Sequence, residues 1–451
     1  MRPQILKLFL SLALTSSTTL VLAAPNALPT TDSPQSLTST PITAPSQPTA
    51  ASVVTAPSVS SGSYSIDQLE KMALASHPVI QGHTQRLETL NGEWTQAGLA
   101  PNPEFSYESE EMSSEAPGGR QDFVITQTII TNGKLQRAQA VVCSEIQTAK
   151  EALRIAQLRV QTDVRIAAIE YLTLQKKQQL LQEVVKNADQ LCSLAKQMAD
   201  KGEIGRRFLL QYMSQAQKAQ EKLRQNENDL AAAWHKLATV MGNPNLPQGT
   251  LTDVLSETVE VESWEACASV LKETSPEIAR ASARIQEAQQ KLQMEYANDS
   301  TDLTVGGGIT YNTGEDRAEG HIVFEMPLRI RNRNQGAISA ARSEVIVAGQ
   351  DYERVILSVQ ARLAETYRLY QNAAESVKRY RESLLPQAEE AIRLTKAGTE
   401  HGEGTLLDLL DMRSQYADLY FEYLEAIGCY WTQKTLLDGK MLTGCLEDEM
   451  Y

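Results

Sequence analysis

The chain has 451 residues, 42% hydrophobic and 22% charged, with a formal net charge of −14. That length accommodates two or more domains or one large repeated unit. The acidic balance argues against a nucleic-acid partner, which needs a basic surface to displace counterions from phosphates. The same charge suits a solvated exterior or an aqueous duct for cations.

The N-terminus reads as a signal peptide over residues 1–23. Arg2 and Lys7 form a short basic region, an apolar stretch runs from Leu8 to Ala24, and Val21-Leu22-Ala23 offers small residues for cleavage. No cysteine follows it, so no lipid attachment site is expected. Residues 24–63 are rich in Ser, Thr, Pro and Ala and nearly free of charge. Such a segment buries too little apolar surface to offset its ordering entropy and reads as a disordered leader. Beyond the signal there is no run of about 18 apolar residues, so any membrane crossing must use strands.

From residue 64 onwards the chain reads as a tandem repeat of about 200 residues, with units 64–250 and 251–445. Ser76-His77-Pro78-Val79-Ile80 recurs as Thr274-Ser275-Pro276-Glu277-Ile278, and Gly202-Glu203 with Leu209-Leu210 recurs as Gly402-Glu403 with Leu409-Leu410. Each unit opens on an expected helix, Ile66–Gln96 and Trp264–Tyr296. Two alternating segments follow: 104–108 and 123–129 in the first unit, 303–311 and 321–328 in the second. In the last of these Ile322, Phe324, Met326 and Leu328 share one face, the period-two signature of a strand. Polar loops, 109–120 and 312–319, join each pair.

Very long helices are then expected, 134–201 and 336–399. At 1.5 Å per residue each spans roughly 100 Å. Leu153, Ala156, Val160, Val164, Ala167, Tyr171 and Leu174 alternate spacings of three and four, and Leu181, Val185 and Ala188 continue the stripe. That is a coiled-coil-like seam. A glycine-containing turn ends each helix, and the chain returns as 207–241 and 406–442. A helix of that length must lie against others in a bundle or tube. Four strands per chain cannot close a barrel, and open edges do not survive in lipid. Identical copies would supply the rest, giving eight strands from a dimer or twelve from a trimer; twelve leaves a lumen.

Several stretches carry a family resemblance. They are Asn102-Pro103-Glu104-Phe105, Asn132-Gly133-Lys134, Gly306-Gly307-Gly308, Met326-Pro327-Leu328, Arg331-Asn332-Arg333-Asn334-Gln335-Gly336, and Gly404-Thr405-Leu406-Leu407-Asp408-Leu409-Leu410-Asp411. In this order across residues 64–442 the chain resembles the TolC-type outer-membrane factors, and more closely their cobalt–zinc–cadmium resistance branch. The resemblance implies a mainly α fold with a small β part. Long antiparallel hairpins would form a trimeric α-barrel tube in the periplasm, and four strands per chain would complete a twelve-stranded barrel in the outer membrane. It also implies a homotrimer in outer-membrane lipid that works with a periplasmic adaptor and an inner-membrane efflux pump, passing substrates such as heavy-metal cations outward.

Asp408 and Asp411 lie three apart and share a helix face. By the resemblance they ring the periplasmic aperture, where six carboxylates would favour cations; by local physics they also complement a helix N-terminus. Gly202, Glu203, Gly402 and Glu403 mark the two tip turns, where the resemblance places adaptor docking. The first tip carries Arg206-Arg207 where the second has Leu406-Leu407, so the two tips should contact an adaptor differently. Arg329, Arg331 and Arg333 are read as solvated or paired junction charges, with lipid phosphate the competing reading.

The cysteines, at 143, 192, 267, 429 and 445, form no metal-binding cluster. Cys143, Cys192 and Cys429 are expected as small buried hydrophobes, and a Cys429–Cys445 bridge is open but unsupported. Histidines 77, 83, 235, 321 and 401 lack metal-ligand spacing. No phosphate loop or Ser/His/Asp arrangement is present, so no enzyme and no cofactor are expected. The rivals are a periplasmic coiled-coil adaptor and a structural protein of an envelope-spanning complex. An adaptor would carry one hairpin flanked by large β domains, and a structural coiled coil would not need matching strand pairs.

Overall fold

A computed structural model describes residues 62–110, 119–400 and 406–447, all within the unit spanning 59–451. The signal peptide, nearly all of the leader, the strand-connecting loop at 111–118, His401, Gly402 and Glu403 lie outside the described residues. The first half runs β1 (Ser63–Tyr64), α1 (Ile66–Ser76), α2 (Pro78–Ala97), β2 (Glu104–Glu110), β3 (Arg120–Ile129), α3 (Lys134–Asp200) and α4 (Arg206–Val240). The second runs β4 (Thr250–Leu251), α5 (Trp264–Thr274), α6 (Pro276–Asn298), β5 (Leu303–Asn312), β6 (Arg317–Glu325), α7 (Gln335–Arg379), α8 (Leu385–Glu400) and α9 (Leu406–Asp438).

The opening helix of each half, expected as one piece, is two. A residue before proline is driven out of the helical region, and His77 and Ser275 accordingly have ψ of 128° and 119°. Pro78 and Pro276 then occupy the first helical turn, where a missing N–H costs nothing. The recurring proline landmark is therefore the break itself. The second long helix is also interrupted. Tyr380–Leu384 form a π-helical turn between α7 and α8. Pro386 follows directly, and the widened turn accommodates a ring that would otherwise crowd the carbonyl of Glu382.

The strands differ from expectation at their ends. The last strand stops at Glu325, before Pro327, which has no N–H for the ladder. Its partner loop shrinks to Thr313–Asp316, because Asp316 takes a positive φ of 48°. The described residues form six strands where four were expected. Ser63, assigned to the leader, pairs with Thr250 and Tyr64 with Leu251 in a two-residue parallel sheet. That pairing seats Tyr64 against Trp234, ring centroids 5.7 Å apart, with Tyr171 on the same indole at 5.1 Å.

The expected seam forms the main core. Ala156, Val160, Val164, Ala167, Tyr171 and Leu181 are buried on α3. Most of them meet Leu69 and Ala73 of α1 and Trp234, Leu237 and Ala238 of α4. A second core gathers Tyr370, Val377, Tyr423, Ile427 and Tyr430 between α7 and α9. The cysteines correct the expectation. Cys143 and Cys429 are exposed and Cys192 half-buried, whereas Cys267 and Cys445 are buried, and all five are unpaired. Each long helix buries one stripe within the chain, and Cys143 and Cys429 sit off it.

Candidate functional site: the four-stranded sheet and the hairpin ends

The order β2-β3-β5-β6 is antiparallel throughout, so register assigns every side chain to a face. Phe105 pairs with Ile125, Tyr107 with Phe123, Ile125 with Gly307, and Gly307 with Ile322. With Ile129, Val305, Ile309 and Phe324 these make one apolar face. Among the described residues nothing covers it: Phe105 is 67% exposed, Phe324 65% and Ile322 88%. The opposite face carries Glu104, Glu108, Asp122, Thr126, Thr128, Thr304, Thr310, Glu319, His321 and Glu325. Thr310 Oγ1 donates to Asp122 Oδ1 at 3.0 Å, and the Thr128 and Thr304 hydroxyls meet at 3.0 Å.

Two of the three glycines, Gly306 and Gly308, lie on this polar face. A Cβ on Gly308 would lie 2.5 Å from the His321 ring, and one on Gly306 2.7 Å from the Thr126 methyl. Polar inside, apolar outside is the pattern of a strand wall between water and lipid. Among the described residues no helix is long and apolar enough to cross a membrane. Among the described residues β2 and β6 each pair on one side only, leaving two open edges.

Tight junctions fix the sheet to the helices. Asn132 and Gly133 adopt positive φ, 54° and 64°, before α3, and Asn334 does so at 57° before α7. Lys134 Nζ bonds Asp302 Oδ2 and the Ser300 carbonyl, both at 2.8 Å. Asn334 Nδ2 donates to the Glu295 carbonyl at 2.8 Å. Arg329 is paired with Asp299 at 3.0 Å, while Arg331 and Arg333 are exposed.

At the far ends of the hairpins, Gly202 turns α3 into α4 with φ 76°, and Glu203 N closes on the Met198 carbonyl at 2.8 Å. Both residues are exposed. Just inside the turn, Ala195 and Tyr212 of the first hairpin bury Leu410 of α9. Burial pushes the Tyr212 hydroxyl above its ordinary pKa, and the charges of Asp411 and Asp408 push it further. The two acids singled out from the sequence therefore flank one buried tyrosine. Asp408 is exposed, whereas Asp411 accepts a hydrogen bond from Gln215 Nε2 at 2.8 Å.

Sequence reasoning missed a ladder of acids along α9. Asp411, Asp418 and Glu425 are seven apart, and each is held by the first hairpin. Gln215 serves Asp411, Lys222 serves Asp418 at 2.7 Å, and Lys177 serves Glu425 at 3.2 Å. Lys177 and Lys222 also lie over the Phe421 ring, 5.5 and 5.9 Å from its centroid. The signal was present, since Gln215 and Lys222 share the heptad spacing of their partners.

Residues 268–428 match the family model described as outer membrane efflux protein. The cobalt-zinc-cadmium resistance protein CzcC of Cupriavidus metallidurans is 27% identical over 166 residues, 37% of this chain. The match spans 40% of that relative's length. Among solved structures, CusC superposes with a TM-score of 0.69 at 15% identity, over 84% of this chain and 92% of the other. VceC, the outer membrane protein of Vibrio cholerae, gives 0.66 at 17% identity, over 84% and 96%. Part of the second half thus matches the efflux-protein family model in sequence, and the described fold is shared with CusC and VceC.

Proposed function

We propose that the chain is one of three identical protomers of an outer-membrane efflux channel. The observation that carries this is the four-stranded sheet with one exposed apolar face, one polar face and two unpaired edges. Such edges are untenable in lipid unless another copy completes them. Pairing β6 of one protomer with β2 of the next closes twelve strands around a polar lumen, whereas eight would be filled by side chains. The long hairpins then lie side by side as a periplasmic tube.

The exported substrates are heavy-metal cations in this reading, supported by the likeness to a cobalt-zinc-cadmium resistance protein. A periplasmic adaptor seats on the exposed turn at Gly202 and Glu203 and at the recurring sequence Gly402-Glu403, and an inner-membrane pump supplies the cargo. Asp408 and Asp411, repeated three times, surround the aperture and concentrate cations there. The mass of the detergent-extracted complex tests the assembly. Three protomers are expected, and a stable monomer or dimer with intact strands overturns the reading.

A further inference from the structure

The two passages from sheet to long helix are unequal. Residues 130–133 carry the chain from β3 into α3, whereas residues 326–334 carry it from β6 into α7. Both end on a left-handed step, at Asn132 and Gly133 in the first and at Asn334 in the second. The turn itself therefore does not require the longer segment. The short passage holds no charge, and the long one holds Arg329, Arg331 and Arg333. Met326, Leu328 and Ile330 alternate with them, in step with Ile322 and Phe324 of the apolar face. Leu328 and Ile330 are each 73% exposed, so exposed apolar side chains continue past the last paired residue of the sheet.

This segment is held in place through its backbone. Arg329 is tied to Asp299 at the end of α6. The Gln335 side chain then clamps the two arginines before it. Its Oε1 accepts from Arg333 N at 2.8 Å, and its Nε2 donates to the Arg331 carbonyl at 3.3 Å. Asn334 N donates to Asn332 Oδ1 at 3.0 Å. None of these bonds uses the guanidiniums of Arg331 and Arg333. Both side chains stay exposed, and among the described residues neither has an ion-pair partner, in a chain of net charge −14. Exposed Trp94 and Tyr296 lie within a turn of the ends of α2 and α6 that lead into the sheet. Such amphipathic rings favour the level of lipid headgroups.

We propose that Arg331 and Arg333 bind the phosphate of an anionic phospholipid, with its acyl chains against Leu328 and Ile330. The proposal rests on the channel reading above, which sets the helix end of the sheet at the periplasmic leaflet. Guanidinium forks match phosphate oxygens two at a time, and basic residues beside a membrane surface attract anionic lipid. A free anion would neutralise the arginines and leave Leu328 and Ile330 in water. A phospholipid satisfies both.

Native mass spectrometry of the detergent-extracted full chain, titrated with dioleoylphosphatidylglycerol or with dioleoylphosphatidylcholine, tests this. The parent should retain the anionic lipid in preference to the neutral one, whose acyl chains are the same. The double variant R331Q/R333Q should bind the anionic lipid about tenfold or more weakly, with its affinity for the neutral lipid unchanged. Arg368→Gln, at an exposed arginine paired with Glu365 along α7, should bind as the parent does. Equal retention of the two lipids by the parent, or an undiminished preference in the double variant, overturns the proposal. So does full displacement of the effect onto assembly, with the double variant falling apart into protomers, because the arginines would then serve a contact between copies. Loss of the anionic lipid to millimolar inorganic phosphate, with no difference between the two lipids beforehand, would assign the arginines to a free anion instead. The same spectra report the assembly. A monomeric parent sinks the channel reading and this proposal with it, whereas a trimeric parent without the lipid preference sinks this proposal alone.

Discussion

Asp411 accepts a hydrogen bond from Gln215 across 196 positions of the chain, and the same offset joins Asp418 to Lys222. These contacts, with Lys177 and Glu425, tie the two hairpins together along a heptad. They differ in what they are worth. The side chains of Lys222 and Asp418 are 52% and 51% exposed, so solvent screens their attraction to about 0–1 kcal/mol. Phe421, buried between the two lysines, contributes through packing. Phe421→Ala should therefore cost about 3–5 kcal/mol and lower the helical melting transition clearly. A double-mutant cycle at Lys222 and Asp418, read in the same melts, should show coupling below about 1 kcal/mol.

The two faces of the sheet respond oppositely to charge. Ile322 is the most exposed apolar residue of the sheet's apolar face. Ile322→Arg places a guanidinium on that face, at a cost of about 2–4 kcal/mol if it lies near the bilayer midplane. Glu319→Gln changes the polar face, where water remains in contact. Outer-membrane fractionation should show the first variant depleted from the membrane and the second at the parent level. Equal recovery of both would remove the lipid assignment of the apolar face.

His77 links the proline break to pH. It is 1% exposed and its Nδ1 accepts from Val79 N at 3.3 Å. Burial holds the imidazole below its ordinary value of 6.5, against smaller opposing effects from the Val240 backbone and Asp163. The folded chain therefore refuses a proton that the unfolded chain accepts once the pH drops below about 6.5. Stability contributed here is constant above that point and falls as the pH decreases towards the lowered folded value. Asn also caps helices well, so His77→Asn keeps a capping acceptor and removes the titration. Denaturation midpoints between pH 7.5 and 5 should fall less steeply in the variant, by roughly the share of one proton.

How far the sequence carried depended on whether a feature was local and periodic. Ile322 and Phe324 alternate, and Val160, Val164, Ala167 and Tyr171 keep helical spacing, so the apolar wall and the core seam were legible. Pro78 and Pro276 stand out as landmarks, yet the helical period runs on past them and hides their steric effect on His77 and Ser275, so two helices read as one. The Ser63–Thr250 pairing left no local signal, since two residues carry no period. Cys143 and Cys429 followed the helical pattern without lying on the buried stripe. Asp408 and Asp411 were legible as a pair, whereas the link to Gln215 was carried only by a heptad spacing shared between two hairpins far apart in the chain.

The aperture assignment makes the sharpest demand on function. In one protomer Asp411 is held by Gln215 and Asp408 is exposed, with Tyr212 buried behind both. Three protomers would bring six carboxylates to one narrow ring, where like charges are costly to keep together and bound cations relieve them. Replacing both with alanine should change single-channel conductance in planar bilayers and weaken block by divalent or trivalent cations. Glu227, exposed on α4, serves as the control, and Glu227→Ala should leave conductance and block unchanged. If these acids served only the dipole at the start of α9, the double variant would lose helix stability and keep its cation block. Block as strong as in the parent channel would therefore return Asp408 and Asp411 to a purely structural role.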